Sequence, residues 1–125
     1  MEVSGDEPGK VQKWEVQLRK GSLELAILAT LWPGRLYGLE IIRALAGDGA
    51  GLEVPEGTVY PLLSRLKAAS LVDSEWVEAA TGHPRKYYAL TPRGRRHTRE
   101  MARSWTTFAA SMDRQLRPLR EEGIS

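Results

Sequence analysis

The sequence predicts a mainly α-helical α+β domain, in which compact helices precede one small β-hairpin and a long helix closes the chain. Three observations carry this expectation. Apolar residues recur at steps of three and four through most of the first 69 residues. The period then switches to two between Val72 and Leu90. Finally, Thr91-Pro92 opens a stripe of large apolar side chains at helical spacing that continues towards the C-terminus. Helical and strand periodicities differ because side chains repeat every 3.6 residues around a helix and alternate along a strand.

Each element can be justified in turn. Met1–Lys10 is polar and partly acidic and reads as a flexible tail. Val11, Trp14 and Leu18 share one face of a short helix. Gly21 is expected to interrupt that helix, and Ser22 to cap a second one over Leu23–Trp32, which is apolar nearly all round, as befits the centre of a small core. Pro33-Gly34 ends it. Tyr37–Leu45 forms the next helix, with Gly38, Ile41, Ile42 and Leu45 inward and Glu40 and Arg43 outward. The stretch Gly47–Gly51 is a turn-rich loop, and Pro55-Glu56-Gly57-Thr58 opens a helix over Thr58–Ala69. The apolar set of that helix is Val59, Leu62, Leu63 and Leu66. Pro61 is expected in or near its first turn, where a missing N–H costs little.

Beyond Ser70, Val72, Ser74, Trp76 and Glu78 alternate with Asp73, Glu75 and Val77, giving a strand. Thr81-Gly82-His83-Pro84 is a turn, and Arg85–Leu90 is the returning strand. Thr91 then caps the last helix, with Pro92 at its first position. Met101, Trp105, Phe108, Met112, Leu116 and Leu119 form its apolar stripe, and Pro118 is expected to end or disturb it. Helices followed by a hairpin in this order make a winged helix-turn-helix arrangement. The organisation read from sequence is a tail (1–10), a winged domain with an N-terminal helix (11–90), a dimerisation helix (91–118) and a C-terminal tail (119–125).

Composition excludes several function classes. With no cysteine among 125 residues there is no disulfide scaffold, thiolate metal site or cysteine nucleophile, which suits a cytoplasmic protein. No apolar run reaches the roughly 18–20 residues of a membrane span. The two histidines, His83 and His97, stand apart and suggest no metal site; no cofactor is expected. No Gly-rich phosphate loop or histidine-paired nucleophile argues for an enzyme. The net charge of +2 conceals a sharp asymmetry. Residues 1–80 hold eight Lys/Arg against twelve Asp/Glu, whereas residues 81–125 hold ten against four. A clustered positive charge is the footprint of a polyanionic partner, although a basic cluster taken alone is more often an ordinary solvated helix face, so charge by itself decides nothing.

Four local motifs resemble the PadR-like family of bacterial transcriptional regulators. They are Gly21-Ser22-Leu23-Glu24-Leu25, Tyr37-Gly38-Leu39-Glu40-Ile41, Glu56-Gly57-Thr58-Val59-Tyr60-Pro61-Leu62-Leu63, and Gly82-His83-Pro84-Arg85-Lys86-Tyr87-Tyr88-Ala89-Leu90-Thr91. His83 departs from the arginine more usual there, which removes one phosphate contact. The single C-terminal helix resembles the smaller subfamily. The resemblance implies a repressor that binds double-stranded DNA at a palindromic operator. Thr58, Tyr60, Ser64, Arg65 and Lys67 then lie on the reading helix, and Arg85 and Lys86 on the wing, stiffened by Pro84. One of Tyr87 and Tyr88 is expected to be core.

The near-heptad stripe Met101, Trp105, Phe108, Met112 and Leu116, with Trp14 and Leu18, is assigned to a homodimer interface, since so small a domain has little core to cover it. In some relatives a tryptophan placed like Trp105 stacks on planar, often cationic, aromatic ligands, so Trp105 and Trp14 are candidates for an effector site; filling the interface is the alternative role. The competing reading of the whole chain is a winged-helix protein-interaction module that does not touch DNA. That reading predicts an acidic or apolar third helix and no basic wing.

Overall fold

A computed structural model describes residues 8–47, 52, 54–80 and 82–123, so the expected tail over Met1–Glu7, most of the Gly47–Gly51 loop, Thr81 and the last two residues lie outside the described residues. The elements run α1 (Pro8–Thr30), β1 (Leu36–Tyr37), α2 (Gly38–Ala46), α3 (Glu56–Ala68), β2 (Val72–Val77), β3 (Arg85–Leu90) and α4 (Pro92–Glu121). The fold is therefore α+β and winged, as the change of period predicted.

The N-terminal region corrects the expectation of two helices. The chain runs through Gly21 as the single helix α1, which begins at Pro8, inside the expected tail. Gly21 is exposed and nothing stands near the place of its absent side chain, so the residue costs helix propensity of about 1 kcal/mol without forcing a break. Ser22 does not cap. Its hydroxyl donates back to the Leu18 carbonyl at 3.0 Å, a bond that competes with capping and belongs to a helix interior. Downstream of Gly21 the helix is anchored by Leu23, Ile27, Leu28 and Leu31, all buried. That anchoring carries the exposed stretch from Gln12 to Leu18.

Helices α2 and α3 complete the core with Ile41 and Leu45, and with Val59, Leu63 and Leu66. The Tyr37 backbone N–H donates to the Glu40 carboxylate at 3.0 Å, securing the start of α2. Helix α3 starts at Glu56, so Pro61 falls beyond its first turn and not within it. The ring removes the N–H that would reach the Gly57 carbonyl, and both residues are exposed.

The sheet has three strands in the order β1-β3-β2, one more than the hairpin expected. Strand β1 pairs antiparallel with β3, Leu36 opposite Tyr88 and Tyr37 opposite Tyr87. In the hairpin, Val72 faces Leu90, Ser74 faces Tyr88 and Trp76 faces Lys86. This register puts Val72, Ser74, Trp76, Lys86, Tyr88 and Leu90 on one face, with Val72 and Tyr88 buried against the helices. Tyr88 is thus the core tyrosine. Tyr87 lies on the opposite face beside Tyr37, ring centroids 5.5 Å apart and edge-on.

Thr91 caps α4 as expected. Its hydroxyl oxygen accepts from the Gly94 N–H at 2.8 Å and its proton goes to the Ser70 carbonyl at 2.7 Å. Gly94 is buried directly against the Leu71 backbone, where a Cβ would collide with the carbonyl. Thr98, buried one turn on, donates to the Gly94 carbonyl at 2.7 Å. Helix α4 does not stop at Pro118, the expected end of the dimerisation helix, but continues to Glu121 with the proline inside it. The proline costs one bond, to the Arg114 carbonyl, and that stretch is exposed enough for water to replace it.

Candidate nucleic-acid interface

Helix α3 divides cleanly. With Val59, Leu63 and Leu66 inward, the residues on the far side are Gly57, Pro61, Ser64 and Ala68, spaced by three or four and all exposed. The outward ridge is therefore made of small side chains, and only Ser64 of the predicted reading residues stands on it. A ridge without bulk lets a helix backbone come close to the floor of a groove. Pro61 also leaves the Gly57 carbonyl without the amide donor it would have four residues on. Sequence reasoning missed this ridge because it looked for polar side chains.

The other predicted residues flank the ridge. Thr58 is exposed on one side, followed about two helical turns later by Arg65, whose guanidinium approaches the Glu24 carboxylate of α1 at 3.7 Å. The same carboxylate lies 3.9 Å from the His97 imidazole of α4, so one acidic group joins three helices. On the other side stand Tyr60 and Lys67. The Lys67 ammonium donates to the Ser74 hydroxyl at 2.7 Å, tying the end of α3 to β2. Tyr60 packs its hydroxyl edge against Gly38, a position where any side chain would occupy the space of the ring. Burial, with the Tyr60 phenol alongside, raises the Tyr88 hydroxyl above the ordinary tyrosine value of 10.0.

The wing brings its two cations close to this helix. The Arg85 guanidinium carbon lies 4.6 Å from the centre of the Tyr37 ring, and the Lys86 ammonium 5.8 Å from that of Trp76 and 5.9 Å from that of Tyr88. Neither cation forms an ion pair among the described residues. Arg35, which the sequence did not single out, reaches across one face of the sheet from beside β1 to β2. Its guanidinium donates to Glu75 at 2.7 Å and sits 4.7 Å from the Tyr87 ring centre. Leu39, Tyr60, Trp76 and Lys86 border an open hollow of about 380 Å³ between the wing and the starts of α2 and α3. Positive charge, exposed aromatics and the small-residue ridge are thus neighbours.

A second surface runs along α4. Trp105 is 44% and Phe108 53% exposed, their ring centroids 6.1 Å apart. Met112 and Leu119 continue the exposed stripe, while Met101 and Leu116 are partly covered. Trp14 and Leu18 of α1 are exposed as well. Between α1 and α4 lies a hollow of about 410 Å³, walled by Leu18, Leu25, Ala29, Leu52 and Trp105 with Glu15 at its rim; Trp14 does not line it. Among the described residues no three His, Cys, Asp or Glu side chains gather to hold a metal, and no helix is long and apolar enough to cross a membrane.

Comparison with known proteins agrees with this architecture. The sequence profile of the transcriptional regulator PadR-like family matches residues 27–100. The crystal structure of a PadR family transcriptional regulator from Eggerthella lenta is 31% identical over 86% of this chain and 93% of that one, with a TM-score of 0.76. A PadR-like transcription factor from Bacteroides fragilis is 41% identical, covering 82% and 97% of the two chains, with a TM-score of 0.65. PadR of Bacillus subtilis, solved in complex with operator DNA, is 25% identical over 64% of this chain and 46% of that one, with a TM-score of 0.60.

Proposed function

The chain belongs to the transcriptional regulator PadR-like family, and on that premise we propose that it is a cytoplasmic repressor that binds a palindromic operator in double-stranded DNA as a homodimer. The observation that carries this reading is the outward ridge Gly57, Pro61, Ser64 and Ala68, with Arg65 and Lys67 on its flanks and beside it the wing cations Arg85 and Lys86, which form no ion pair among the described residues. The ridge enters the major groove. Ser64 and the Gly57 carbonyl face base edges there, and Thr58 and Tyr60 lie at the groove margin. Arg85 and Lys86 neutralise phosphates, which positions the helix without reading sequence. Arg65 and Lys67, already tied to Glu24 and Ser74, hold the helix in place and face the backbone with their remaining donors.

Dimerisation follows from the uncovered stripe of α4. A chain that leaves Trp105, Phe108, Met112 and Leu119 exposed, with Trp14 and Leu18 on α1, gains about 1.5–3 kcal/mol for each large side chain fully buried against a second copy. A two-fold axis there spaces two reading helices for successive turns of DNA. The hollow beside Trp105 accommodates a planar aromatic effector, with the indole as stacking partner and Glu15 complementing a positive charge. Its occupation shifts the pairing of the α4 helices and so the spacing of the reading helices. Selection of genomic fragments on the purified protein tests the proposal. Enrichment of fragments sharing an inverted repeat is the expected result. Equal retention of all fragments at moderate salt, or retention of none, refutes it.

A further inference from the structure

Among the described residues Trp76 is the most exposed of the large apolar side chains, at 68%, and nothing in the core requires it there. Its place in β2 explains why. The register puts it on the same sheet face as Val72 and Tyr88, which are buried, but farther along the hairpin, where the helices no longer cover the sheet. The indole therefore overhangs the hollow bordered by Leu39 and Tyr60, which are also exposed, on the side where α3 presents its N-terminal half. Lys86 faces it directly across the hairpin, its ammonium 5.8 Å from the ring centre. The nearest acidic neighbour in sequence, Glu75, points to the other face and is paired with Arg35 at 2.7 Å. An apolar ring beside Lys86, a cation with no ion-pair partner among the described residues, complements a polymer in which anionic and apolar groups alternate at short range. The sugar–phosphate backbone of DNA has that pattern. An apolar peptide segment would not require the cation.

Resting on the DNA-binding reading above, we propose that Trp76 is a DNA-contacting residue of the wing. It packs its indole on the deoxyribose edge of the duplex while Lys86 meets the adjoining phosphate. The indole contributes contact that does not depend on counterion release, and the ammonium contributes contact that does. The two contributions are separable. Each phosphate neutralised adds about 0.9 to the slope of log K against log salt, and an apolar contact adds nothing to it.

The experiment measures binding of the full-length protein to a labelled duplex across a salt series, for the unaltered chain and for Trp76→Ala, Trp76→Phe and Lys86→Ala. Trp76→Ala is expected to weaken binding by about tenfold or more at every salt concentration with the slope unchanged. Trp76→Phe is expected to restore part of the affinity. Lys86→Ala is expected to lower the slope by about 0.9 for each wing. Because Trp76 is exposed, thermal unfolding of the two Trp76 variants should match the parent. Unaltered affinity in Trp76→Ala, or a loss that vanishes as salt is raised, overturns the role of Trp76 while DNA binding itself stands. Failure of the unaltered protein to bind any duplex overturns the parent reading and this inference with it.

Discussion

Removing both wing cations provides a quantitative test of how this protein holds DNA. Arg85 and Lys86 follow Pro84 at the start of β3, and neither is neutralised by a carboxylate among the described residues. Each is held over an aromatic ring, which restricts its motion without satisfying its charge. In a dimer the double variant Arg85→Ala/Lys86→Ala loses four such charges. At about 0.9 per phosphate, the slope of log K against log salt falls by about 3.6. Over a rise from about 50 to about 200 mM salt, the parent should then lose roughly 150-fold more affinity than the variant. Fluorescence anisotropy on one labelled fragment at several salt concentrations measures both slopes. The variant should also bind every sequence more weakly, since phosphate contacts carry no base information. A slope equal to that of the parent would show that the wing does not touch the backbone.

Other consequences follow from packing and charge. Gly94→Ala drives a Cβ into the Leu71 carbonyl where α4 leaves the sheet; a loss of about 1–3 kcal/mol in thermal or denaturant unfolding is expected, and a neutral result refutes the close contact. Phe108→Glu puts a charge into the α4 stripe twice per dimer, weakening association by about 3–6 kcal/mol; sedimentation should show monomer, and a persistent dimer would place the interface elsewhere. Tyr88, buried beside Tyr60, has its hydroxyl held above the ordinary value of 10.0, so folding favours the neutral phenol. Its contribution is complete below about pH 10 and is lost as pH rises through the folded value, because the unfolded chain ionises first. Tyr88→Phe should lack that part of the alkaline loss in denaturant midpoints, and an identical alkaline profile would remove the buried hydroxyl from the account.

Local signals carried much of this architecture and stopped where tertiary contacts took over. The Val72–Leu90 hairpin and the Thr91-Pro92 cap were legible because alternation and capping are written into neighbouring residues. Strand β1 was not, since two residues have no period and Leu36–Tyr37 is a strand only by virtue of Tyr87 and Tyr88. Gly21 read as a break because its weak propensity is local, whereas the anchoring of α1 by Leu23, Ile27 and Leu28 comes from the whole core. At the candidate interface, the cations Arg65, Lys67, Arg85 and Lys86 were visible by residue type. Their partners Glu24, Ser74, Tyr37 and Trp76 were not, because each is brought up by another element. Trp76 was assigned to a strand correctly, but its exposure depends on where the helices end beneath the sheet.

The most direct test of the central claim is a protection footprint of the unaltered protein on a fragment it selects from genomic DNA. Two symmetrically related protected half-sites, centred one helical turn or about 10 base pairs apart (or a small multiple of that spacing), are the predicted result. A single unpaired patch, or protection that covers the fragment evenly at moderate salt, would contradict it.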